Sequence, residues 1–442
     1  MSTKFGLSVE YRDASSAIVR NDLSELVERK SKCEISPEGM TSFLTYRYPI
    51  GKYTMFEGIE RIPFGCDIVD STLRQAWYPK YSTIDCSLED AKQTIDELLK
   101  TSIERLTKGK KIGIVLSGGL DSSLVVALAR EIYPSAELRT YTSGFVGDNE
   151  FEYARIVSEK FETEHKEIEL SVDDYLGDMS FIRELIRFKG EPLHPNELAL
   201  AFAEKQAALD GCEVILCGEG ADDIFGGYGR NFRMYMNFPG GSIRDFAEFF
   251  LNNYRYFSLE ERKSFINSEY LVDDIALTLS QLDLEDYPVN LEDNAIYITQ
   301  KLHTPGLITR GKNAIAFNNM EAGFPFIDDE LVAFVNSLPF KFKIKWKDNE
   351  SETQAKKLSF KSISEVYDIP KYILKKVSEK YLPDEITYRK KYGFPVPFDL
   401  WMKDIDSWDL RKDFFNTNNI SELNGWKKFM LINLNTFLEE FV

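Results

Sequence analysis

The sequence predicts an α/β fold, a parallel sheet with helices on both faces, followed by a largely helical C-terminal part and preceded by a small β-rich lobe. Buried-strand runs alternate with helical segments between residues 110 and 217. That spacing favours right-handed crossovers and a parallel sheet. Short apolar runs broken by Gly and Pro precede this region, and helical periodicity dominates beyond Tyr228.

The first helix of the main domain is marked by its cap. Ser87 with Asp90 three residues later resembles a capping arrangement. The apolar residues of one helical face then follow: Leu88, Ala91, Ile95, Leu98, Leu99, Ile103 and Leu106. We therefore divide the chain into residues 1–86, a small lobe of strands and turns, and residues 87–442, the main domain.

The elements of the sheet follow in order. Four apolar runs are predicted strands: KIGIVL, LRTYTS, HKEIEL and EVILC, the last ending at Cys217. Helices are predicted from Ser122 to about Ile132 and after Asn149. Segments such as IRDFAEFFLNNYRYF indicate helices packed around that sheet.

Composition excludes several classes of function. The net charge of −18 over 442 residues argues against binding to a nucleic acid backbone or an anionic membrane. Five cysteines without a CxxC pair or zinc spacing indicate a reducing compartment. No stretch approaches the ~18 apolar residues of a membrane span. We expect a cytoplasmic protein with small-molecule substrates and neither a nucleic acid nor a membrane partner.

The motif SGGLDSS, Ser117 to Ser123, lies between the strand KIGIVL and a helix. At this edge of a parallel sheet, Gly118 and Gly119 let the backbone approach an anion, and the first amides of the helix face it. A phosphate is the expected occupant. The Asp121 carboxylate beside a phosphate implies a cation, and we expect magnesium. The alternative is a Gly-Gly turn needed only for packing.

A second acidic, glycine-rich motif, CGEGADDIFGGY, runs from Cys217 to Tyr228 after another apolar strand. Its acids should share the sheet edge with the first loop. Glu219 and Asp222 are candidates for a general base and a metal carboxylate, whereas Asp223 is interpreted as an exposed acid at a helix start. The alternative is a helix cap without chemistry.

These motifs carry a resemblance to a known family. SGGLDSS resembles the pyrophosphate loop of the ATP pyrophosphatase (PP-loop) superfamily. Together with CGEGADDIFGGY, MEAGFPFID (320–328) and RKKYGFPVP (389–397), in that order, it is similar to the synthetase domain of asparagine synthetase and β-lactam synthetase. The segments GDNEFEYAR, TEHKEIEL and GEPLHP agree in part with further family segments.

The resemblance implies a Rossmann-like PP-loop fold and an ATP-dependent, AMP-forming amide synthetase. It implies attack of a carboxylate on the ATP α-phosphorus, loss of pyrophosphate, and capture of the acyl-adenylate by an amine. Catalytic roles fall on Glu219, near the amine, and Lys391, whose cation stabilises the adenylate or tetrahedral intermediate. Asp121 and Asp222 would hold Mg²⁺. The implied ATP contacts are Leu116, Ser117, Gly118, Gly119, Asp121, Ser122, Ser123, Ser143, Cys217 and Gly218.

The chain departs from the family in two places. Glutamine-dependent members place a Cys nucleophile after the first Met, whereas this chain begins Met1-Ser2, and 116 residues precede the ATP loop. FEGIERIPFG (56–65) resembles the connector that ends the glutaminase layer, so we expect a truncated remnant without glutaminase activity. Asparagine synthetases also tend to have an Asp-Arg pair near Lys312-Asn313 and Arg where Gly323 stands, so aspartate is disfavoured as the substrate.

Several functions stay open at this point. In the leading hypothesis the enzyme joins a carboxylic acid to the substrate's own amine, giving a lactam, or to another amine. β-Lactam synthetases have Tyr at the position of Glu219, which argues against a close similarity to those enzymes. Alternatives are an ammonia-dependent asparagine synthetase, a tRNA-modifying ATP pyrophosphatase, and a scaffold with a decayed site. A homodimer and a separate ammonia or amine donor are left open.

Other chemistry-bearing residues receive structural interpretations. Lys391 lies in a basic run, 389–391, which by itself indicates a solvated face. His165, His194 and His303 are too scattered for a metal triad and are interpreted as structural, except that His194 lies near the expected crevice. Glu321 and Asp328 are expected to order the helical part.

Overall fold

The structure is a computed structural model. It describes residues 10–14, 19–20, 23–29, 33–69, 72–75, 81, 83–282, 290–390, 393 and 396–442. Within these ranges no helix is both long enough and apolar enough to cross a bilayer.

The N-terminal lobe contains short strands, as expected, and two helices that the sequence pattern does not predict. Ser36 caps the second helix by accepting the Gly39 amide at 3.1 Å, and Pro37 takes its first position. The elements are β1 Tyr11–Asp13, β2 Val19–Arg20, α1 Leu23–Glu28, α2 Pro37–Tyr46, β3 Ile59–Arg61, β4 Cys66–Val69 and β5 Thr72–Gln75.

A five-stranded parallel sheet with helices forms the centre of the main domain, which confirms the predicted fold class. Its strands are β6 Ile112–Val115, β7 Arg139–Phe145, β8 Glu164–Leu170, β9 Val214–Leu216 and β10 Glu321–Gly323. The associated helices are α3 Leu88–Thr107, α4 Leu120–Ile132, α5 Phe151–Lys160, α6 Val172–Leu176, α7 Ser180–Lys189 and α8 Glu197–Leu209. The fifth strand, β10, was not predicted.

The strand order β10-β9-β6-β7-β8 determines where a ligand can bind. The chain runs outward from β6 through β7 to β8 and then returns to the other side of β6 as β9. The order therefore reverses between β6 and β9. In open parallel sheets the crevice beyond the carboxyl ends of the strands at such a reversal is the usual ligand site.

The remaining chain is mainly helical, as the periodicity predicts. The elements are α9 Ala221–Phe225, α10 Gly229–Phe232, α11 Ile243–Tyr254, α12 Leu259–Phe265, α13 Asp274–Ser280, α14 Leu291–Leu302, α15 Thr304–Phe317, α16 Asp329–Ser337, α17 Phe340–Lys343, β11 Ile344–Trp346, α18 Asn349–Ala355, β12 Asp368–Pro370, α19 Tyr372–Ser378, α20 Asp384–Thr387, α21 Phe398–Trp401 and α22 Gly425–Phe441. Short 3₁₀ turns lie at Met234–Asn237, Ser268–Tyr270, Pro325–Ile327 and Phe360–Ser362.

The predicted cap of α3 is present, and the helix buries the predicted face. Ser87 accepts the Asp90 amide at 3.1 Å, and the Ser87 hydroxyl donates to the Asp90 carboxylate at 2.6 Å. Ala91, Ile95 and Leu99 are fully buried against the sheet. Asp328 orders the helical part as predicted, because it caps α16. Glu321 does not: it lies on strand β10, is exposed, and pairs with Lys110 before β6.

The N-terminal lobe shares a hydrophobic core with the main domain. Residues of α1 and α2 belong to the same buried cluster as α7, α8 and the C-terminal helix α22. The Phe56 ring lies 5.6 Å from the Phe437 ring, measured between centroids. The Arg61 guanidinium is fully buried and forms an ion pair with Glu191 of the main domain. The boundary between residues 86 and 87 stays a prediction.

Candidate active site at the carboxyl edge of the sheet

The first glycine-rich loop connects β6 to α4. Gly118 has φ +67°, and a Cβ there would lie 2.6 Å from the backbone of Tyr153 and Ala154, so glycine is needed both for the conformation and for the packing. The Ser122 hydroxyl accepts the Ser117 amide at 3.1 Å. The first N–H groups of α4 have no intrahelical acceptor and are available to an anion.

The second loop follows β9 and touches the first. A Cβ on Gly218 would lie 2.9 Å from the Ser122 nitrogen and 3.1 Å from the Asp121 Cβ. Glycine at this position therefore allows the two backbones to meet. Gly220, with φ +94°, then turns the chain into α9, which begins at Ala221.

The carboxylates of Asp121 and Asp222 converge on one cation. The Lys371 Nζ lies 2.5 Å from Asp121 and 2.7 Å from Asp222. Gly227 makes room for this cluster, because a Cβ there would lie 1.8 Å from the Asp222 Oδ1 and 2.3 Å from the Lys371 Cε. Burial alone would lower the pKa of Lys371, but the two carboxylates outweigh burial and raise this pKa above its ordinary value. The ammonium therefore stays charged.

Glu219 points to a different part of the same crevice, where basic groups gather. The Arg310 Nη2 donates to the Glu219 carboxylate at 3.2 Å, and Nη1 lies 3.4 Å from the His194 Nδ1. Burial, followed by the positive charges of Arg47 and Arg310, lowers the pKa of His194 well below its usual value, so the imidazole is neutral.

A further buried carboxyl group, Glu204, lies near enough to Glu219 to interact with its charge. Both Glu204 oxygens are buried and have no hydrogen-bond partner among the described residues. Burial, and then the negative charges of Glu219 and Glu197, raise the pKa of Glu204 well above 4.5. The neutral acid is therefore favoured at this position.

One cavity of about 380 Å³ joins the two loops to the basic groups. The predicted site residues that line it are Leu116, Ser117, Gly119, Asp121, Ser122, Ser143, Gly218, Glu219 and Asp222. The predicted ATP contacts that do not line it are Gly118, Ser123 and Cys217. The Cys217 amide is already bonded to the Gly323 carbonyl at 2.9 Å, and burial raises the pKa of its thiol well above the usual range.

The predicted catalytic Lys391 lies outside the described residues. Its neighbour Arg389 is not on a solvated face, because its guanidinium lies 3.9 Å over the Tyr153 ring and pairs with Glu150. Arg389 also donates to the Gly118 carbonyl at 3.3 Å. The basic run therefore begins against the first loop.

Two structural interpretations require correction. Asp223 is not an exposed helix-start acid; it is fully buried and accepts a hydrogen bond from the Thr304 hydroxyl at 2.5 Å. His303, interpreted as structural, contacts the Tyr228 ring and also lines the cavity. His194 lines the cavity as expected, while His165 packs between strands, 2.9 Å from the Thr140 hydroxyl.

Four cations that line this cavity were not predicted from the sequence: Arg47, Arg310, Lys371 and Lys375. Lys371 could have been noticed in the sequence, because it follows Pro370 at the start of a helix. Acids are favoured over bases at such positions, so a lysine there indicates another role. A charged residue on the largely buried helix α15 was a signal for Arg310. Nothing in the local sequence marks Arg47.

Comparison with known proteins agrees with the motifs and the fold. The sequence model described as asparagine synthase matches residues 94–434. The chain belongs to the asparagine synthase family. This family match spans the sheet, both glycine-rich loops and the helices that carry Arg310 and Lys371.

Individual relatives within the asparagine synthase family are more distant. A putative glutamine-hydrolysing asparagine synthetase of Methanocaldococcus jannaschii is 27% identical over 69% of this chain and 49% of its own length. Asparagine synthetase 1 of Bacillus subtilis is 21% identical over 88% of this chain and 63% of its own. The carboxyethyl-arginine β-lactam synthase of Streptomyces clavuligerus is 31% identical over 40% of this chain and 35% of its own. The matched region thus spans 49% and 63% of the length of these two asparagine synthetases.

Proposed function

We propose that this protein is an ATP-dependent, AMP-forming amide synthetase that adenylates a small carboxylic acid and transfers the acyl group to an amine. One observation carries the proposal: two carboxylates and a lysine meet beside a glycine-rich helix start at the switch point of a parallel sheet. A phosphate chain fits the amides of that helix start. Membership of the asparagine synthase family supports the same chemistry.

In this proposal the loop from Ser117 to Ser123 binds the β- and γ-phosphates. Lys371, which pairs with Asp121 and Asp222, supplies a positive charge to these phosphates. The nucleotide's α-phosphate then faces the open cavity, toward Glu219 and Arg310. Positive groups aimed at the leaving pyrophosphate lower the barrier because they are already oriented before the reaction.

Magnesium fits the two carboxylates. Asp121 and Asp222 approach one Nζ atom within 2.7 Å, so both can face a single cation. The described residues contain no group of three or more His, Cys, Asp or Glu that could hold a metal. Magnesium at nucleotide sites takes one or two carboxylates and completes its shell with phosphates and water. Bound there, it would neutralise charge on the phosphates.

The proposed reaction has two steps. A substrate carboxylate oxygen bonds to the α-phosphorus, and the bond from that phosphorus to the bridging oxygen breaks, so that pyrophosphate leaves with the electron pair. The amine nitrogen then bonds to the acyl carbon, AMP leaves, and the nitrogen loses one proton. Glu219, at the cavity wall, is the proposed acceptor of that proton. Lys391 is the proposed cation that stabilises the acyl-adenylate or the tetrahedral intermediate.

The source of the amine distinguishes two versions of this function. We favour the substrate's own amine, which gives a lactam, or another amine carried by a small molecule; the likeness to the β-lactam synthase of Streptomyces clavuligerus supports this version. The second candidate is ammonia-dependent synthesis of asparagine, which the acid at Glu219 and the names of the other relatives favour. The absence of glutaminase activity and a cytoplasmic location stay predictions.

The test is a product analysis. The protein is incubated with ATP, MgCl₂ and a panel of amino acids that includes aspartate, with and without ammonium chloride, and nucleotides are separated by chromatography. We expect AMP and pyrophosphate in equal amounts. ADP with orthophosphate would contradict adenylation, and indifference to aspartate and ammonium together would eliminate the asparagine version.

A matched pair of variants controls for contamination by other ATPases. Asp222→Asn removes a carboxylate of the cluster and should abolish pyrophosphate release. Glu213→Gln changes an exposed acid directly before β9, at the end of that strand opposite to the loop that carries Asp222. This variant should release pyrophosphate as fast as the unmodified protein.

A further inference from the structure

Arg389 is held on three sides beside the first glycine-rich loop. Its guanidinium lies 3.9 Å over the Tyr153 ring and forms an ion pair with Glu150. It also donates to the Gly118 carbonyl at 3.3 Å. Only 12% of the Arg389 side chain is exposed, so water competes little for these contacts. Because the donors of an arginine form a rigid planar fork, the three contacts together fix the orientation of the guanidinium.

The same contacts join the loop to the start of α5. Glu150 directly precedes this helix, and Tyr153 lies in its first turn. A Cβ on Gly118 would lie 2.6 Å from the Tyr153 Cβ, so the loop packs directly on the helix start. Arg389 lies 271 positions after Gly118 in the chain. It therefore supports the loop from a distant segment.

The bond to Arg389 determines the direction of the peptide between Gly118 and Gly119. The C=O and N–H of a trans peptide point in opposite directions. The Gly118 carbonyl faces Arg389, so the Gly119 N–H points away from Arg389 and toward the Ser117 hydroxyl, at 3.3 Å. Ser117 and Gly119 both line the cavity. This peptide therefore presents its donor to the place proposed for the phosphates.

The two glycines by themselves do not hold the peptide in this direction. A half-turn of the peptide changes only ψ of Gly118 and φ of Gly119. The Gly119 φ would move from −83° to a positive value, which glycine adopts readily and other residues disfavour. The Gly118 carbonyl would then replace the N–H inside the loop and repel a phosphate. An interaction from outside the loop has to select between the two directions.

We propose that Arg389 is a positioning residue that locks the Gly118–Gly119 peptide with its N–H toward the phosphates of ATP. Arg389 acts through the loop, because it stabilises the peptide direction in which a donor faces the phosphates. Glu150 and Tyr153 hold the guanidinium in place for this purpose. The inference rests on the proposed function, since it assumes that ATP phosphates occupy this loop.

The first test separates binding of the phosphates from binding of the rest of the nucleotide. Calorimetry in MgCl₂ measures the affinities for a non-hydrolysable ATP analogue, inorganic pyrophosphate and AMP. We expect Arg389→Met to lower the affinities for the analogue and for pyrophosphate at least tenfold and to leave the AMP affinity within twofold. Arg155→Met is the control and should change none of them, because Arg155 also lies on α5 but pairs with Glu167 at the surface.

The second test distinguishes the peptide direction from the charge of Arg389. Gly119→Ala disfavours the turned peptide, because alanine avoids positive φ, and the nearest neighbour of its Cβ would be the Ser117 Oγ, at 3.3 Å, which can rotate away. We expect the loss of pyrophosphate affinity caused by Arg389→Met to be at least fivefold smaller when Gly119→Ala is also present. Loss of charge alone would cause the same loss in both backgrounds.

A crystal structure of Arg389→Met without ligand shows the peptide directly and does not depend on any affinity. We expect the Gly118 carbonyl to point toward Ser117 in this variant. A carbonyl that keeps its direction, unchanged pyrophosphate affinity, an equal loss of AMP affinity, or the same loss in both backgrounds would overturn the inference. Failure of the unmodified protein to bind the ATP analogue or pyrophosphate would instead count against the proposed function.

Discussion

Lys371 is the residue that explains how two acids remain close in the absence of ATP. Two carboxylates that approach one atom within 2.7 Å would repel each other without a cation between them. The lysine therefore stabilises the cluster before the reaction. In the proposed function, a metal takes the place of the ammonium between the carboxylates, and the long, flexible stem of the lysine lets its ammonium move onto the phosphates.

Replacing Lys371 should separate these two effects. We expect Lys371→Met to lower pyrophosphate release at least 100-fold, about 3 kcal/mol, because a positive charge near the leaving group is lost. The same change should increase the thermal shift produced by MgCl₂ alone, since the metal no longer competes with the ammonium. Lys376→Met is the control, because Lys376 lies on α19, directly after Lys371, and pairs with Glu379 at the surface. Unchanged turnover in Lys371→Met would exclude the proposed role.

Lys391 is expected to act on the reacting acyl group and not on ATP. Lys391→Ala should leave ATP binding nearly intact and cost about 3 kcal/mol or more in catalysis. Calorimetry with a non-hydrolysable ATP analogue and steady-state pyrophosphate release measure the two quantities. Full activity of the variant would mean that the lysine is misassigned.

His194 should make stability depend on pH. Burial and the cations around it, Arg47, Arg310, Lys189 and His303, lower its pKa in the folded state below the unfolded value of 6.5. The unfolded chain therefore binds the proton more readily, and the stabilisation present above pH 6.5 is lost as the pH falls, by up to about 1.4 kcal/mol per pH unit.

Urea unfolding between pH 5.5 and 7.5 measures this contribution. We expect His194→Gln to flatten the pH dependence of the unfolding free energy below pH 6.5 relative to the unmodified protein. A variant with the same slope would show that His194 is protonated without cost in the folded state.

The site residues that the sequence predicts are those inside short motifs. Asp121, Asp222 and Glu219 each lie in a glycine-rich loop directly after a strand, so sheet geometry alone places them at one edge. Arg47 and Lys371 are far in sequence from both glycine-rich loops, and only tertiary packing brings them to the cavity. The local sequence marks Lys371 as an unusual base at a helix start, but it does not say what Lys371 contacts, and it does not mark Arg47 at all.

At the scale of elements, the contact between the two loops depends on the small size of Gly218. A Cβ there would lie 2.9 Å from the Ser122 nitrogen. Gly218→Ala should therefore push the loops apart and weaken ATP binding at least tenfold, with a modest loss of stability. Gly109→Ala, at φ +74° but in open space, controls for general destabilisation. Calorimetry compares the two, and equal ATP affinity would contradict the close contact.

The elements that the sequence failed to predict lack the usual patterns. Residues 39–46 of α2 are all buried, so this helix shows no alternation of apolar and polar residues. Strand β10 consists only of Glu321, Ala322 and Gly323, none of which favours strands, and it exists because β9 pairs with it. By contrast, α3 has a cap and an amphipathic face, and both were predicted.

At the scale of the whole molecule, the lobe and the main domain should unfold together. They share a hydrophobic cluster and the buried ion pair between Arg61 and Glu191. Breaking a buried pair leaves an uncompensated charge, so Arg61→Met or Glu191→Gln alone should cost about 3–5 kcal/mol, whereas the double variant Arg61→Met/Glu191→Met should recover part of it.

Urea unfolding followed by fluorescence and by circular dichroism measures these free energies. We expect a single transition for both probes in the unmodified protein. Two transitions, or a cost below about 1 kcal/mol for each single variant, would mean that the lobe is only loosely attached and that Arg47 is not held in the cavity.

Both glycine-rich loops are proposed to bind the β- and γ-phosphates of ATP and to leave the α-phosphorus accessible from the cavity. A crystal structure with Mg²⁺ and a non-hydrolysable ATP analogue tests this proposal most directly, because no acyl substrate has to be known. We predict the β- and γ-phosphates at the amides of Ser117–Ser123, with Asp121 and Asp222 on the metal and the α-phosphate facing Glu219 and Arg310. A triphosphate bound elsewhere, or reversed so that the γ-phosphate meets Arg310, would contradict the account.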